Sequence, residues 1–234
     1  MKICAISDTH THHDQIKIPA CDILIHAGDF CSHGIVEEAD NFLDWFSNQR
    51  NAKHKIFIAG NHDHCMQTDK DRITIPGNVI YLCDTSITVE GLSIHGTPWT
   101  PYFYDWAFQG IDCDKGGLRT AREYVGGPHM NAVPTEKYPL LDSKYGLVPN
   151  GVDILVSHGP PFGILDRNGQ GDNCGSHSLL RAIESRAPKY SIFGHIHEGA
   201  GMVSHKGNFC CNAASLDGNY ELYDDPCTTF EVKK

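Results

Sequence analysis

The sequence predicts an α/β fold in which two sheets pack together and helices cover their outer faces. Short apolar runs rich in β-branched residues recur along the chain, as expected of strands that are buried on both faces. Stretches with the apolar spacing of a helix lie between some of these runs. The chain has 234 residues, which is enough for one large hydrophobic core.

The predicted buried strands share one feature, because each ends in a small residue that is followed by polar side chains. The stretches that show it are KICAISDTH, CDILIHAGDF, HKIFIAGNHDH, VDILVSHGPP and YSIFGHIHEG. Further short strands are predicted near residues 79–82, 87–89, 92–95, 202–205, 208–211 and 220–223. Binding sites in open α/β sheets form at the carboxyl ends of strands, so we expect the polar groups to meet at one edge.

Two helices are predicted between the strands. From Ile35 to Arg50 the apolar residues follow one helical stripe, and acidic residues near the start suit the helix dipole. A second helix is expected after Gly175, with Ser176 as its candidate N-cap and Pro188 as its end.

The region from Gln109 to Asn150 differs from the rest of the chain, since it is rich in glycine, proline and charge and its apolar residues are less regular. We interpret it as an excursion inserted at about 109–150 into a single domain that spans residues 1–234. One short helix is predicted within it, near residues 118–124.

Charge and composition narrow the classes of partner. A formal net charge of -10 argues against binding of long nucleic acids, whereas a compact anionic substrate stays compatible if a local cation offsets the field. No apolar stretch reaches membrane-spanning length, and the N-terminal MKICAISD lacks a signal-peptide pattern. The ten cysteines form no C-x-x-C pair and are interpreted as reduced thiols. We therefore expect a cytoplasmic protein that does not bind membranes. The sequence is compatible with an oligomer.

Carboxylate, imidazole and amide side chains follow the predicted strands in a pattern that indicates metal binding. The candidate ligands are Asp8, His10, Asp29, Asn61, His158, His195 and His197. This donor set suits divalent Mn, Fe, Zn or Ni. Seven ligands are too many for one ion and suit two, at the spacing of about 3.5–4 Å that phosphatases and nucleases use. One aspartate at the end of a central strand is then expected to bridge the ions.

These motifs, in this order and spacing, resemble the complete motif set of calcineurin-like metallophosphoesterases; they are Asp8-x-His10, Gly28-Asp29, Gly60-Asn61-His62-Asp63, His158 and Gly194-His195-x-His197. The stretches GTPWTPYFYDWAF, HGPPFGILD and GHIHEGAG are similar to a narrower branch, the metallophosphoesterase-domain-containing phosphodiesterases related to class III cyclic nucleotide phosphodiesterases. The resemblance implies a four-layer α/β/β/α sandwich with two packed mixed sheets and a dinuclear metal centre, for which manganese is favoured.

The resemblance also implies a role for each site residue. The residues implied to bind the first ion are Asp8, His10 and His197, and those implied to bind the second are Asn61, His158 and His195. Asp29 is implied to bridge the two ions. His62 is implied to contact the scissile phosphate, together with Asn61, and to assist the leaving group, while Asp63 orients the His62 ring.

Three functions are compatible with this pattern. The first is a phosphodiesterase that acts on small or cyclic nucleotide phosphodiesters through a bridging hydroxide. The second is a phosphomonoesterase, including a protein phosphatase. The third is an inactive scaffold, against which the intact ligand set argues.

The text of two motifs favours the diesterase over the phosphatase. The protein-phosphatase branch reads Gly-Asp-x-x-Asp-Arg-Gly and Gly-Asn-His-Glu, whereas this chain has GDFCSHG and GNHD. The missing arginine removes a bidentate clamp for a dianionic phosphate, although Arg167 is a candidate substitute. The aromatic residues that are candidates for stacking on a nucleobase, or for anchoring their loop, are Trp99, Tyr102, Phe103 and Trp106.

Overall fold

Two mixed β-sheets form the centre of the computed structural model, which describes residues 1–114, 117–118 and 137–233. In chain order the strands are β1 (Lys2–Ile6), β2 (Cys21–His26), β3 (Ala52–Phe57), β4 (Ile80–Tyr81), β5 (Thr85–Val89), β6 (Leu92–Thr97), β7 (Thr100–Pro101), β8 (Gln109–Gly110), β9 (Cys113–Asp114), β10 (Gly117–Leu118), β11 (Ile154–Ser157), β12 (Tyr190–Phe193), β13 (Gly201–His205), β14 (Asn208–Asn212) and β15 (Thr228–Glu231).

The two large sheets have parallel centres and antiparallel edges. The first has the order β15-β1-β2-β3-β4, in which only β15 runs antiparallel to its neighbour. The second has the order β13-β14-β12-β11-β6-β5, in which β13 and β5 are the antiparallel edges. The short pairs β7–β8 and β9–β10 stand apart from both sheets among the described residues.

Strand register brings the loops after the parallel strands to one edge. In the first sheet Ile6 pairs with His26, and His26 pairs with Phe57. In the second sheet Val156 pairs with Ile192. The segments that follow β1, β2, β3, β11 and β12 therefore leave their sheets close together.

The core between the sheets is rich in β-branched side chains. Alternate residues of β2 show why these strands are continuously apolar, because Ile23 and Ile25 belong to the core between the sheets. Leu24, between them, belongs to the core that includes the helices. Among the other buried residues between the sheets are Ile3, Ile56, Ile94, Ile154, Val156 and Ile192.

Helices cover the outer faces of both sheets. They are α1 (Val36–Ser47), α2 (His64–Thr68), α3 (Leu141–Tyr145) and α4 (His177–Arg186), with 3-10 turns at His13–Gln15, Lys70–Arg72 and His197–Gly199. Phe42 of α1 packs against Phe57 of the first sheet, and Leu179 of α4 shares a core with Leu155 of the second. The predicted α/β/β/α sandwich of two mixed sheets is confirmed.

Local predictions hold for both helices. The first spans Val36–Ser47 rather than 35–50, because its last turn closes at Asn48. In the second, the Ser176 hydroxyl accepts the Leu179 N–H at 3.0 Å, which confirms the N-cap. This helix ends at Arg186, one residue before a left-handed Ala187 that precedes Pro188.

Two details of the chain differ from the sequence-based expectations. The strand predicted at 220–223 is wrong, because that segment is held by a turn and pairs only through an isolated bridge of Leu222 with Leu216. Strand β15 was not predicted, although it completes the first sheet beside β1. The helix predicted at 118–124 lies outside the described residues, apart from Leu118 in β10.

The described part of the excursion contributes to the core. Leu141 and Tyr145 of α3 are buried, and the Tyr145 hydroxyl donates to the Trp99 carbonyl at 2.7 Å. That the whole chain is a single domain with an insertion stays a prediction. No helix in the described ranges combines the length and the apolar character that crossing a bilayer requires.

Candidate metal centre and cavity

The seven predicted ligands lie at the carboxyl ends of five parallel strands. Asp8 and His10 follow β1, Asp29 follows β2, Asn61 follows β3, His158 follows β11, and His195 and His197 follow β12. Six of the seven side chains are almost completely buried, and His195 is partly buried. The first sheet supplies four of these residues and the second sheet supplies three.

Six of these residues form two groups with metal-ligand spacing. One group is Asp8, His10 and His197, and the other is Asp29, His158 and His195; within each group the ligand atoms lie within 4.8 Å of one another. Each group therefore takes residues from both sheets. The first group is the set that the resemblance assigns to one ion. The second group contains His158 and His195, which are assigned to the other ion, together with the expected bridge Asp29.

Asp29 lies between the two groups. Its Oδ2 is 3.2 Å from His158 Nε2 and 4.0 Å from His10 Nε2. Its Oδ1 accepts the backbone N–H of His62 at 2.7 Å. This is the position that a bridging carboxylate requires.

Backbone carbonyls set the tautomer of three of the histidines. The Nδ1 atoms of His10, His158 and His197 lie 2.9–3.0 Å from the carbonyls of Cys31, Ala27 and Asp217. A carbonyl oxygen can only accept, so each Nδ1 carries the hydrogen. In the neutral ring Nε2 then has a free lone pair, and Nε2 is the atom that faces the carboxylates.

The acceptor atoms of the candidate site are arranged as cation binding requires. Two acceptor oxygens lie close to His158 Nε2: Asn61 Oδ1 is 2.8 Å away and Asp29 Oδ2 is 3.2 Å away. Burial by itself lowers the pKa of His158, but Asp29 and Asp8 raise it to about 9. Burial also raises the pKa of Asp29, yet His158 outweighs it and the pKa lies well below its usual value. A site of converging carboxylate, amide and imidazole acceptors fits divalent ions.

For two other histidines of the site, burial outweighs the neighbouring carboxylates. Burial lowers the pKa of His195 to about 3, and it also lowers the pKa of His10. Both rings are therefore neutral near pH 7, which is the form that binds a metal.

Backbone strain is concentrated in this site. Four of the candidate ligands have left-handed φ angles, which are 54° at Asp8, 39° at His10, 58° at Asp29 and 70° at His195. Such conformations cost about 1–3 kcal/mol each for residues other than glycine and persist where the surroundings enforce them. Sequence patterns alone did not reveal this feature.

Gly194 explains why a glycine precedes the two histidines of the last motif. A Cβ at this position would lie 2.0 Å from Asp8 Oδ2 and 2.2 Å from Ser7 Oγ. The next residue, His195, donates its backbone N–H to both oxygens of Asp8, at 3.0 and 2.9 Å. Close approach of the two strand ends therefore depends on the missing side chain.

The expected role of Asp63 is wrong. Its Oδ2 accepts the backbone N–H groups of Asp29 and Gly60 at 2.9 and 2.7 Å, and its Oδ1 accepts that of Cys31 at 2.9 Å. The contact that orients the His62 ring is made instead by the Ser32 carbonyl, 3.1 Å from Nδ1. Asp63 thus ties together the loops after β2 and β3, and it contacts the backbone rather than the imidazole.

A segment that sequence reasoning missed completes the site. The turn from Asp217 to Tyr223 reaches the metal centre from the C-terminal side. The Asp217 carbonyl accepts from His197 Nδ1, and the Tyr223 hydroxyl donates to the His197 carbonyl at 3.0 Å. The ring of Tyr220 lies 5.0 Å from that of His10 and 5.1 Å from that of His197.

A cavity of about 570 Å³ opens above the two groups. His62 lies in its floor, and one wall is aromatic, formed by Tyr102, Phe103 and Trp106. The Trp106 ring lies 5.1 Å from that of His62. Trp99 does not line the cavity within the described structure, because its indole N–H donates to Asp84 and its ring packs below Lys144.

The charge of the cavity lining is acidic. Asp172 and Glu198 line it beside the candidate metal groups, and none of its described lining residues is lysine or arginine. Arg167 is exposed and is absent from that described lining, so the expected substitute for an arginine clamp does not take that place.

A two-sheet α/β sandwich with paired carboxylate and imidazole groups at its strand ends is the architecture of a metal-dependent phosphoesterase. The family model of the calcineurin-like phosphoesterases matches residues 1–199, and the chain belongs to this family. The segment with Tyr220 lies beyond the matched residues.

Relatives and solved structures agree with this assignment. The chain is 32% identical to the human protein named metallophosphoesterase domain-containing protein 1, over 96% of this chain and 69% of the relative. It is 28% identical to UPF0046 protein K07C11.7 of Caenorhabditis elegans, over 100% of this chain and 76% of that one. The crystal structure of the phosphopantetheinyl hydrolase of Mycobacterium tuberculosis has a similar fold, with a TM-score of 0.60, 16% identity and coverage of 98% and 95%.

Proposed function

We propose that this metal-dependent phosphoesterase is a phosphodiesterase for small diesters, with nucleoside cyclic phosphates among its substrates and manganese as the favoured metal. The observation that carries the proposal is the cavity itself. It joins two candidate metal groups to an aromatic wall, and its described lining offers no lysine or arginine. A diester has one negative charge and needs less cationic compensation than a monoester dianion.

Two divalent ions, when bound, would neutralise charge on the phosphate and supply a hydroxide nucleophile. The residues of the chain would hold the two ions and orient the phosphate. Asp8, His10 and His197 would hold one ion, and Asn61, His158 and His195 the other, while Asp29 bridges. The contacts of three imidazoles with backbone carbonyls through Nδ1 orient these rings so that Nε2 faces the ion.

His62 is the proposed proton donor to the leaving group. Its backbone N–H is fixed by Asp29 and its Nδ1 by the Ser32 carbonyl, so the ring is held at the cavity floor. Its Nε2 has no partner among the described residues. Because Nδ1 keeps its hydrogen on the Ser32 carbonyl, the ring would donate from Nε2 in its doubly protonated form, and the proton would pass to the leaving oxygen. The leaving group would then lie beside Trp106, which packs on the His62 ring.

The experiment compares an activated diester, bis(p-nitrophenyl) phosphate, with p-nitrophenyl phosphate and with 2′,3′- and 3′,5′-cyclic nucleotides. Values of kcat/KM are measured with Mn, Ni, Zn and Fe, and the bound metal is quantified in each sample. We expect two ions per chain and a preference for diesters. A preference for the monoester of roughly tenfold or more with every metal would instead support the phosphomonoesterase.

We further propose that the protein is cytoplasmic, on the evidence of its thiols. All ten cysteines are free, and seven of them are buried. Unpaired cysteines in this number suit a reducing compartment. Fractionation of cells that express the chain, followed by thiol titration of the unfolded protein, tests this. Recovery from an oxidising compartment with fewer than ten free thiols would contradict it.

A further inference from the structure

We propose that Tyr220 is a substrate-binding residue, whose phenol hydroxyl donates a hydrogen bond to an oxygen of the phosphate bound beside Asp8, His10 and His197. The inference rests on the proposed function, because it assumes that a phosphate group occupies the metal-lined end of the cavity. It extends the candidate site to a segment that lies beyond the residues matched by the family model.

The first argument is position. The Tyr220 ring lies against the rings of His10 and His197, at 5.0 and 5.1 Å between centroids. The residue lines the cavity, yet half of its surface remains exposed. A tyrosine whose task was packing would bury more of its ring, since burial of the ring is the source of its stabilising effect.

The second argument is backbone strain. Tyr220 has a φ of 63°, which is uncommon for a bulky residue. The turn is held by Asp217, whose carbonyl accepts the Tyr220 N–H at 3.0 Å. The Asp217 carboxylate also accepts the N–H groups of Asn219 and Glu221, at 2.8 and 3.0 Å. The chain therefore maintains an unfavourable conformation that keeps this ring over the metal groups.

One residue couples this turn to the metal centre. The Asp217 carbonyl that holds Tyr220 also accepts the Nδ1 hydrogen of His197. The position of the phenol is thus fixed relative to a candidate ligand, as productive binding requires of a substrate contact.

The third argument is chemical. The described lining of the cavity offers no lysine or arginine to a phosphate. A phenol is a neutral donor at physiological pH, which suits a monoanionic diester. The Tyr220 hydroxyl has no hydrogen-bond partner within the described ranges, so it is free to bind a ligand.

Tyr104 provides a matched control on the same protein. It is also a left-handed tyrosine, with a φ of 57°, and its exposed fraction of 57% is close to the 50% of Tyr220. It packs on Phe103 and Trp106 beside the cavity, but it is not one of the described lining residues.

The test uses Tyr220→Phe and Tyr104→Phe in the full chain loaded with manganese. Calorimetry measures the Kd for inorganic phosphate, and elemental analysis measures the metal content. We expect Tyr220→Phe to raise Kd roughly tenfold or more, the usual effect of one hydrogen bond to a charged group. We expect Tyr104→Phe to leave Kd within about twofold, with equal metal content in all three proteins.

Three outcomes would overturn the inference: equal Kd values for the two variants, loss of metal in Tyr220→Phe, or no phosphate binding by the wild-type protein. Because phosphate binding requires no turnover, the result is separate from the proposed function. Weaker binding in Tyr220→Phe together with a preference for monoesters would refute the diesterase proposal alone. Diester hydrolysis with an unchanged Kd would refute the role of Tyr220 alone.

Discussion

Replacing Asp63 by asparagine should destabilise the protein, because this buried carboxylate holds two loops through their backbones. Its two oxygens accept three N–H groups, from Asp29, Gly60 and Cys31. The side-chain NH2 of asparagine cannot accept, so at least one buried donor loses its partner. Burial and the neighbouring Asp29 raise the pKa of Asp63 well above its usual value, so the loss of an acceptor is the effect that this substitution isolates.

The size of the effect follows from these contacts. An unsatisfied buried donor costs about 1–3 kcal/mol, so we expect a loss of roughly this size in the free energy of unfolding. With an m-value of about 3 kcal/mol/M, the urea midpoint should fall by about 0.3–1 M. The measurement is made with a chelator present, so that metal binding does not contribute to the stability.

Asp69→Asn is the control, since this aspartate is only partly buried and pairs with Arg72 at the surface. We expect its urea midpoint to equal that of the wild type. If Asp63→Asn keeps the wild-type midpoint and loses only kcat, then Asp63 acts on the His62 ring after all, and the structural role assigned to it is refuted.

Three other substitutions test the metal centre. Asp29→Ala should remove the bridge, so that elemental analysis finds at least one ion fewer and hydrolysis nearly disappears; two retained ions would contradict the bridging role. His62→Ala should keep both ions but lower kcat by roughly 10²–10⁴, and a loss of metal would show that His62 is a ligand. Gly194→Ala places a Cβ 2.0 Å from Asp8 Oδ2 and should lose the first ion. Gly77→Ala, which meets no atom within 4 Å, should retain it.

The strand ends could be predicted from the sequence because an apolar run and a polar side chain of the site follow one another directly there. A continuous apolar run such as that before Asp29 indicates a strand buried on both faces, and a polar residue directly after it has few structural reasons to be there. The capping hydroxyl of Ser176 was predictable for a similar reason, since its partner lies only three residues away.

The parts that were missed depend on contacts that are distant in sequence. Asp63 follows His62 directly, yet its partners include the backbone of Asp29 and Cys31, more than 30 residues away. Tyr220 reaches His10 from the far end of the chain. Local sequence patterns do not indicate such contacts. The pattern of apolar residues around 220–223 therefore predicted a strand where the structure has a turn.

Each candidate ligand group is divided between the two sheets, so a bound metal would also hold the sheets together. Asp8 and His10 belong to one sheet and His197 to the other, and the second group is divided in the same way. An ion bound there would therefore oppose any sliding of one sheet over the other. By mass action, an ion present at 100 times its Kd adds about 2.7 kcal/mol to the folded state. The thermal stability of this protein should thus report the free metal concentration around it.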